Sequence, residues 1–474
     1  MPLSTRLCSR GRCWILLLSP FLSLIILHLL LRSYTGVNST LLKNFLTDLR
    51  PLDPHNTNNG STAGHGACSP LPGMEDVLVV LKTGVTEALE KVPVHIQTTL
   101  RCVPHYVIFS DFEEKIAGVQ THDVLRNVSH EIKQSIPEFE IYNRVQQSGR
   151  EGLSKADFGD DYNGPFGRIN NPGWKLDKWK FLPMIDVALA VQPTAKWYIF
   201  MEADTYLMWP NLIAWLAQLD PDRPLYLGCQ MQIGEIVFGH GGSGFVLSNP
   251  AMRKVSEYRA SHLEELDRLT ADQWAGDCVL GKVLADVGVP LTWSWPMLQG
   301  SRPWDMDHFG ESYDKKTWCY PVVSYHHMTP ADIEELWQFD REWFRMDNPE
   351  KTKLLLHNDV FRELILPNIL APRADWDNLS EDPAIVAVDG DSTLPSSFDD
   401  CEKHCLNDAG CLQYAFHSDG RCLTSKVVKR GVSVSGSKSR STDSTVHSGW
   451  MTERILPMAE KLGSACSKPD WVFP

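Results

Sequence analysis

WYIFMEADTYLMW, Trp197 to Trp209, is an apolar, aromatic-rich run of strand length that ends on two acids, Glu202 and Asp204, with one small residue between them. In an open parallel sheet, ligands bind beyond the carboxyl ends of the strands, so acids delivered there face a crevice and not the core. Acid-x-acid suits a divalent metal carrying a phosphorylated ligand, because hard cations prefer carboxylate oxygens and keep positions open for phosphate. Alone, the triplet reads as an acidic surface turn, since motifs this short recur by chance. The flanking pattern reverses that reading.

On either side, strand-like and helix-like segments alternate. VHIQTTL (94–100) and HYVIFSD (105–111) read as strands, and WKLDKWKFLPMIDVALAV (174–191) as an amphipathic helix. NLIAWLAQL (211–219) reads as a helix, LYLGCQMQIG (225–234) as strand-like, GHGGSGFVLS (239–248) as a glycine-rich turn into a strand, and NPAMRKVSEYRASHLEEL (249–266) as a helix. Units in this order predict a doubly wound or mixed α/β sheet. HYVIFSD also ends in an acid, Asp111, which reads equally as a donor-site residue or a helix N-cap.

The N-terminus sets the expected compartment. Trp14 to Leu31 carries no charge and approaches the ~20 residues of a membrane-spanning helix. Arg6, Arg10 and Arg12 precede it, whereas Arg32 is the only basic residue close behind, so residues 1–13 are expected in the cytosol and the remainder in the lumen. A cleaved signal peptide competes with this anchor reading, but the apolar run exceeds the usual ~7–15 residues. Ten cysteines lie beyond the anchor, an even number compatible with disulfides in an oxidising lumen, while Cys8 and Cys13 are palmitoylation candidates. Asn38, Asn59, Asn127 and Asn378 begin Asn-x-Ser/Thr sites.

At 474 residues with 43% hydrophobic composition, the chain has material for one large core and a small accessory domain. A net charge of −14 argues against nucleic-acid binding, which needs a basic footprint. Residues 32–72 read as a polar stem, and 73–380 as the main domain.

The ordered set WYIFMEADTY, LYLG, GGSGFVLS, GDCVLG and SYHH resembles the family 31 glycosyltransferases, most closely the core 1 β1,3-galactosyltransferase and Fringe-like branch, over roughly residues 95 to 330. The resemblance implies a type II Golgi enzyme with a nucleotide-sugar-binding (type A) mixed α/β sheet flanked by helices, using a UDP-sugar and Mn²⁺. It implies that Asp204 ligates the metal, with Glu202, one methylene longer than the usual Asp, contacting ribose or metal. It makes Asp277 of GDCVLG the catalytic base, with Gly276 standing where the family carries Glu, and His326 of SYHHM the third metal ligand, His327 remaining open. It lets Gly241, Gly242 and Gly244 bring backbone close to sugar or acceptor. Lys178 and Lys180 are candidates for phosphate contacts as point charges. Asp305, Asp307 and His308 of PWDMDHF read as an acceptor-side loop without a ligand role.

Towards the C-terminus, Cys401, Cys405, Cys411 and Cys422 crowd a segment, 395–428, that resembles a PAN/apple module with a protein or carbohydrate ligand. Four cysteines allow three pairings, all open at this stage. Residues 429–474 read as a polar loop and an amphipathic helix, WMTERILPMAEKLG (450–463), returning to the main domain. The expected activity is inverting transfer of a hexose, galactose in β1,3 linkage, from a UDP-sugar to a glycan or glycoprotein. The alternatives are an inactive lumenal glycan- or UDP-sugar-binding protein on the same fold, and a metallohydrolase.

Overall fold

A computed structural model describes residues 71–159, 168, 170–345, 354–384, 386–388, 391–393, 395–434 and 445–474. The expected tail, anchor and nearly all of the stem lie outside these residues. Among the described residues, no helix is long and apolar enough to cross a membrane.

The centre is a mixed eight-stranded sheet. Its strands are β1 (Val77–Lys82), β2 (Tyr106–Ser110), β3 (Lys115–Ile116), β4 (Val119–Asp123), β5 (Trp197–Glu202), β6 (Tyr226–Gly228), β7 (Phe245–Ser248) and β8 (Leu291–Trp293), in the order β8-β6-β7-β5-β1-β2-β4-β3. β1 runs parallel to both β5 and β2, with Lys82 opposite Glu202 and Phe109. β7 is antiparallel to β5 and β6, while β8 is parallel to β6 with Trp293 opposite Gly228. The carboxyl ends of β1, β2, β5, β6 and β8 therefore share one edge. The turn that feeds the reversed strand β7, Gly239–Gly244, enters at that same edge. The near-continuous apolar reading of VLVVL, VIF and WYIFM follows from burial on both faces.

Helices α1 (Ala88–Gln97), α2 (Pro172–Asp177), α3 (Phe181–Val191), α4 (Trp209–Leu216), α5 (Asn249–Ser261), α6 (Leu263–Asp272), α7 (Gly276–Asp286) and α8 (Pro330–Trp343) cover the sheet and its ends. VHIQTTL is not a strand. Ala88, Val92 and His95 are buried at helical spacing on α1, and that tertiary face overrides the β-branched composition. The strand that pairs with HYVIFSD is VLVVLK, β1, which the sequence reading left unassigned. WKLDKWKF is broken into α2, a 3₁₀ turn over Lys178–Lys180, and α3.

At the C-terminal end lies a five-stranded sheet of Arg373–Ala374, Asp382–Pro383, Gln413–His417, Cys422–Ser425 and Val446–Trp450. It takes strands from outside 395–428. Helix α9 (Phe398–Asn407) is fastened by Cys401–Cys422, and its end by Cys405–Cys411, which settles the pairing of these four cysteines. Helix α10 (Thr452–Gly463) places Ile455 and Ala459 in an apolar cluster with Trp304, Trp318 and Phe361. Cys319–Cys466 and the Trp215 indole, which donates to the Val472 carbonyl at 2.7 Å, tie the terminus to the main domain. Among the described residues, Cys229 and Cys278 are free and buried. The Asn378 sequon is a structural asparagine: it is fully buried, its amide donates to the carbonyls of Tyr414 and Gly449, and its oxygen accepts from Ser380. Asn127 is exposed.

Candidate metal and catalytic site

The turn after β5 is clamped before any ligand is considered. The Thr205 hydroxyl donates to the Gly242 carbonyl at 2.7 Å, and the Met328 N–H donates to the Asp204 carbonyl at 2.9 Å. His95 of α1 meets the Ala203 carbonyl at 2.9 Å and the Thr99 hydroxyl at 2.6 Å. Burial lowers His95 to about 4, so it clamps as a neutral ring.

Asp204 then faces two cations. Its Oδ1 lies 3.2 Å from His326 Nε2, and its Oδ2 lies 3.0 Å from Lys91 Nζ, which also holds Glu87 at 2.8 Å. Burial opposes ionisation of Asp204, but His326 and Lys91 outweigh it and hold the acid well below the usual carboxylate range. His326 answers in kind: burial pulls it down, Asp204 pulls it up more strongly, and the result is raised. Donor atoms of Asp204, His326 and His327 lie within 4.8 Å of one another. Among the described residues, His326 Nδ1 is buried without a hydrogen-bond partner. One carboxylate and two imidazoles, one with an orphaned nitrogen, are a donor set that fits a divalent transition metal. His327 reaches this group through a left-handed backbone, φ 62°. Gly242 is required beside it, since a Cβ there would sit 2.1 Å from the His326 ring.

Glu202, expected among the metal ligands, is absent from that donor group. Its Oε1 is 3.1 Å from Lys82 Nζ, the residue opposite it across the β1–β5 ladder. Burial raises the Glu202 carboxyl, but Lys82 outweighs it and the acid stays below its ordinary value. Lys82 also pairs with Asp177 at the end of α2. Asp177 in turn lies 3.0 Å from Lys180, which holds Asp111 at 3.2 Å and donates to the Thr83 carbonyl at 2.7 Å. Asp111, at the end of β2, accepts from the Val85 N–H at 2.7 Å. A line of alternating charges thus runs along the edge from β2 to β5.

Lys178 does not join it. Its ammonium bonds Glu138 at 2.9 Å and the carbonyls of Ala271 and Gln273 at 3.1 and 2.9 Å, so the hydrogen bonds it makes here fasten the end of α6. Asp305 pairs with Arg302, and His308 is buried against the Pro303 carbonyl.

Asp277 opens α7. Its Oδ2 accepts from the Gly241 N–H at 2.8 Å and its Oδ1 from the Cys278 N–H at 2.9 Å. Burial pushes it up to about 6, the two N–H groups resisting and nearby Glu202 assisting. Gly241 separates the two acids, and a Cβ there would meet Glu202 Oε1 at 2.8 Å. Gly276 is a packing requirement, because a Cβ would lie 2.4 Å from the Phe181 ring and 2.6 Å from the Lys178 backbone. A glutamate cannot occupy that position in this arrangement.

Sequence reasoning missed Lys82, Asp177, Lys91 and His95. Lys82 carried a usable signal, since it ends an apolar run as Glu202 does. The other three lie on helices, where a polar residue gives no sign of which strand end it reaches.

This arrangement, a mixed sheet with anionic and imidazole donors at its carboxyl edge and a carboxyl of raised pKa beside them, has the groups with which α/β enzymes hold a metal and a charged ligand and accept a proton. Residues 73–299, just under half of the chain, match the Fringe-like family model, which is related to glycosyltransferase family 31. The match points to glycosyltransferase activity in general, with a nucleotide-sugar donor and a glycan acceptor. Fringe-like glycosyltransferases are typically metal-dependent, consistent with the Asp204 group.

Proposed function

We propose that this protein is a Golgi type II, inverting, Mn²⁺-dependent glycosyltransferase that transfers a hexose, galactose in β1,3 linkage, from a UDP-sugar to a glycan or glycoprotein. The observation that carries this reading is the pair of carboxyl environments at one sheet edge: Asp204 held ionised beside His326 and His327, and Asp277 raised to about 6 beside them. Asp204, His326 and His327 would hold the metal, which when bound neutralises the charge on the departing UDP.

The chain's own part is proton acceptance. Asp277 is oriented by the Gly241 and Cys278 N–H groups, each of which leaves a lone pair of its oxygen free. The acceptor hydroxyl gives its proton to Asp277 as its oxygen bonds the anomeric carbon. The bond from that carbon to the UDP oxygen breaks, and its electron pair leaves with UDP. A single displacement inverts the centre, and one base suffices. Golgi residence rests on the basic residues before the 14–31 segment and on the disulfides. The stapled C-terminal sheet we read as PAN/apple-like.

Calorimetric titration of the full-length chain with UDP-galactose, UDP-glucose, UDP-N-acetylglucosamine and UDP, with Mn²⁺ and then with chelator, tests the donor side. Binding of one UDP-sugar that needs Mn²⁺ supports the reading. No binding refutes it, and binding without turnover on any acceptor leaves a binding protein on this fold.

A further inference from the structure

His240 opens the turn that joins the two sides of the site, and neither the Asp204 group nor the base makes use of it. Its N–H donates to the Cys229 carbonyl at 2.8 Å, and its Nδ1 meets the Ser243 hydroxyl at 2.8 Å. A Cβ at Gly300 would lie 3.7 Å from that Nδ1 and 3.5 Å from the Ser243 hydroxyl, so the bonded side of the ring is also the packed side. Among the described residues, Nε2, at the far side of the ring, makes no hydrogen bond. The residue as a whole is half-buried, so the ring is fixed without being closed off.

Position gives that nitrogen a use. The next residue, Gly241, gives its N–H to Asp277 at 2.8 Å, and Gly242 after it lies so close to His326 that a Cβ would sit 2.1 Å from the ring. Three consecutive residues thus reach from the base to the Asp204 and His326 side, and His240 is the one of them with a side chain. Its ring centroid is 5.2 Å from that of His326, with the planes 77° apart. Glu202, His327 and Asp204 also lie within electrostatic reach of it, yet it is not part of the donor group of Asp204, His326 and His327. In a single displacement the anomeric carbon lies in line between the attacking oxygen, at the base, and the departing oxygen of UDP. The hexose in transfer therefore occupies the interval between Asp277 and the Asp204 group, which this turn borders.

We propose that His240 is a donor-specificity residue: its Nε2 bonds a hydroxyl of the hexose carried by UDP and so discriminates between UDP-hexoses. A hydroxyl both donates and accepts, so either tautomer of the ring serves. A site that bonds a hydroxyl discriminates more sharply than an apolar wall, because a sugar lacking the hydroxyl there leaves the ring nitrogen unpaired. This inference rests on the glycosyltransferase reading above.

The test is calorimetric titration of the full-length chain with Mn²⁺ and UDP, UDP-galactose, UDP-glucose or UDP-N-acetylglucosamine, the readout being each sugar's affinity relative to that of UDP. His240→Ala should weaken the UDP-sugar preferred by wild type by about tenfold, the equivalent of one hydrogen bond, and narrow the spread among the three sugars. UDP affinity and its Mn²⁺ dependence should be unchanged. His240→Gln, which can set an amide nitrogen where Nε2 stands, should recover most of the loss, whereas His240→Asn, which can replace only Nδ1, should not. Wild-type affinity ratios in His240→Ala overturn the proposal, as does an equal loss for UDP and UDP-sugar, which would make His240 a support of the Asp204 group. Where His240→Ala does not fold, the other two variants decide: a weakened Asn beside a near-normal Gln supports the proposal, and equal ratios in both overturn it. A wild-type chain without Mn²⁺-dependent UDP binding removes the glycosyltransferase reading itself, whereas failure of this proposal alone leaves wild-type binding intact.

Discussion

Asp204 and Asp277 begin from the same chemistry, carboxylates drawn out of bulk water at one edge of a sheet, and end in opposite states. Asp204 has a cation on each oxygen, His326 at 3.2 Å and Lys91 at 3.0 Å. Asp277 has backbone N–H groups at 2.8 and 2.9 Å and the Glu202 charge nearby. Cations lower a carboxyl against its burial, whereas neutral N–H dipoles orient it and leave burial in command. One site thereby keeps a permanent anion, suited to a cation, and the other a group that exchanges a proton near neutrality. Titratable groups pushed apart in this way mark a division of labour.

The sharpest way to break the comparison is Asp277→Asn, which keeps shape and removes the base. Transfer should fall by about 10²–10⁴-fold with kcat and kcat/KM affected alike, while UDP-sugar affinity is retained. Full activity in that variant would remove Asp277 from the chemistry. Asp204→Asn should do the reverse. Mn²⁺-dependent UDP-sugar affinity should drop by at least about tenfold in calorimetry, because a neutral amide replaces the anionic ligand.

The two sides differ in how far the sequence exposed them. β5 and its acids were legible because an apolar run must end somewhere, and what it ends on faces the crevice. The glycine turn and Asp277 were legible through the ordered motif set. Partnership was not legible: Glu202 sits in the expected acid pair, yet its carboxylate is held by Lys82, a residue 120 positions earlier that only the β1–β5 register brings opposite. His327 reaches the donor group through a left-handed φ that composition does not announce. VHIQTTL misled because local β-branching spoke for a strand while burial periodicity on α1 spoke for a helix. Asn378 matched a sequon, but its amide was already committed to two carbonyls.

A pH profile sharpens the comparison further. With Asp277 raised to about 6, kcat/KM for the acceptor should fall about tenfold per pH unit below that value as the base takes up its proton. The same shift has a stability consequence of definite sign. Between its ordinary value of 3.8 and about 6, the folded chain binds a proton on Asp277 that the unfolded chain does not. Its contribution to stability therefore declines as pH rises through that window. Asp277→Asn should flatten this part of the melting-temperature profile, and a variant profile parallel to wild type would show that Asp277 is not raised.

The smallest expected effect, Gly276→Ala, probes whether the base side can be disturbed alone. The added methyl would lie 2.4 Å from the Phe181 ring and 2.6 Å from the Lys178 backbone. The backbone cannot swing aside as a flexible side chain would, so the start of α7 must shift, at a cost of about 1–3 kcal/mol. Asp277 moves with that turn and stretches its bond to Gly241, whereas Asp204 is held by α1, by Met328 and by His326, none of which touches Gly276 in the contacts described. Transfer should decline severalfold and the melting temperature by a few degrees, with Mn²⁺-dependent UDP-sugar affinity unchanged. Equal losses on both sides would mean that the edge behaves as one rigid constellation, and that the contrast between its two carboxylates is electrostatic but not mechanical.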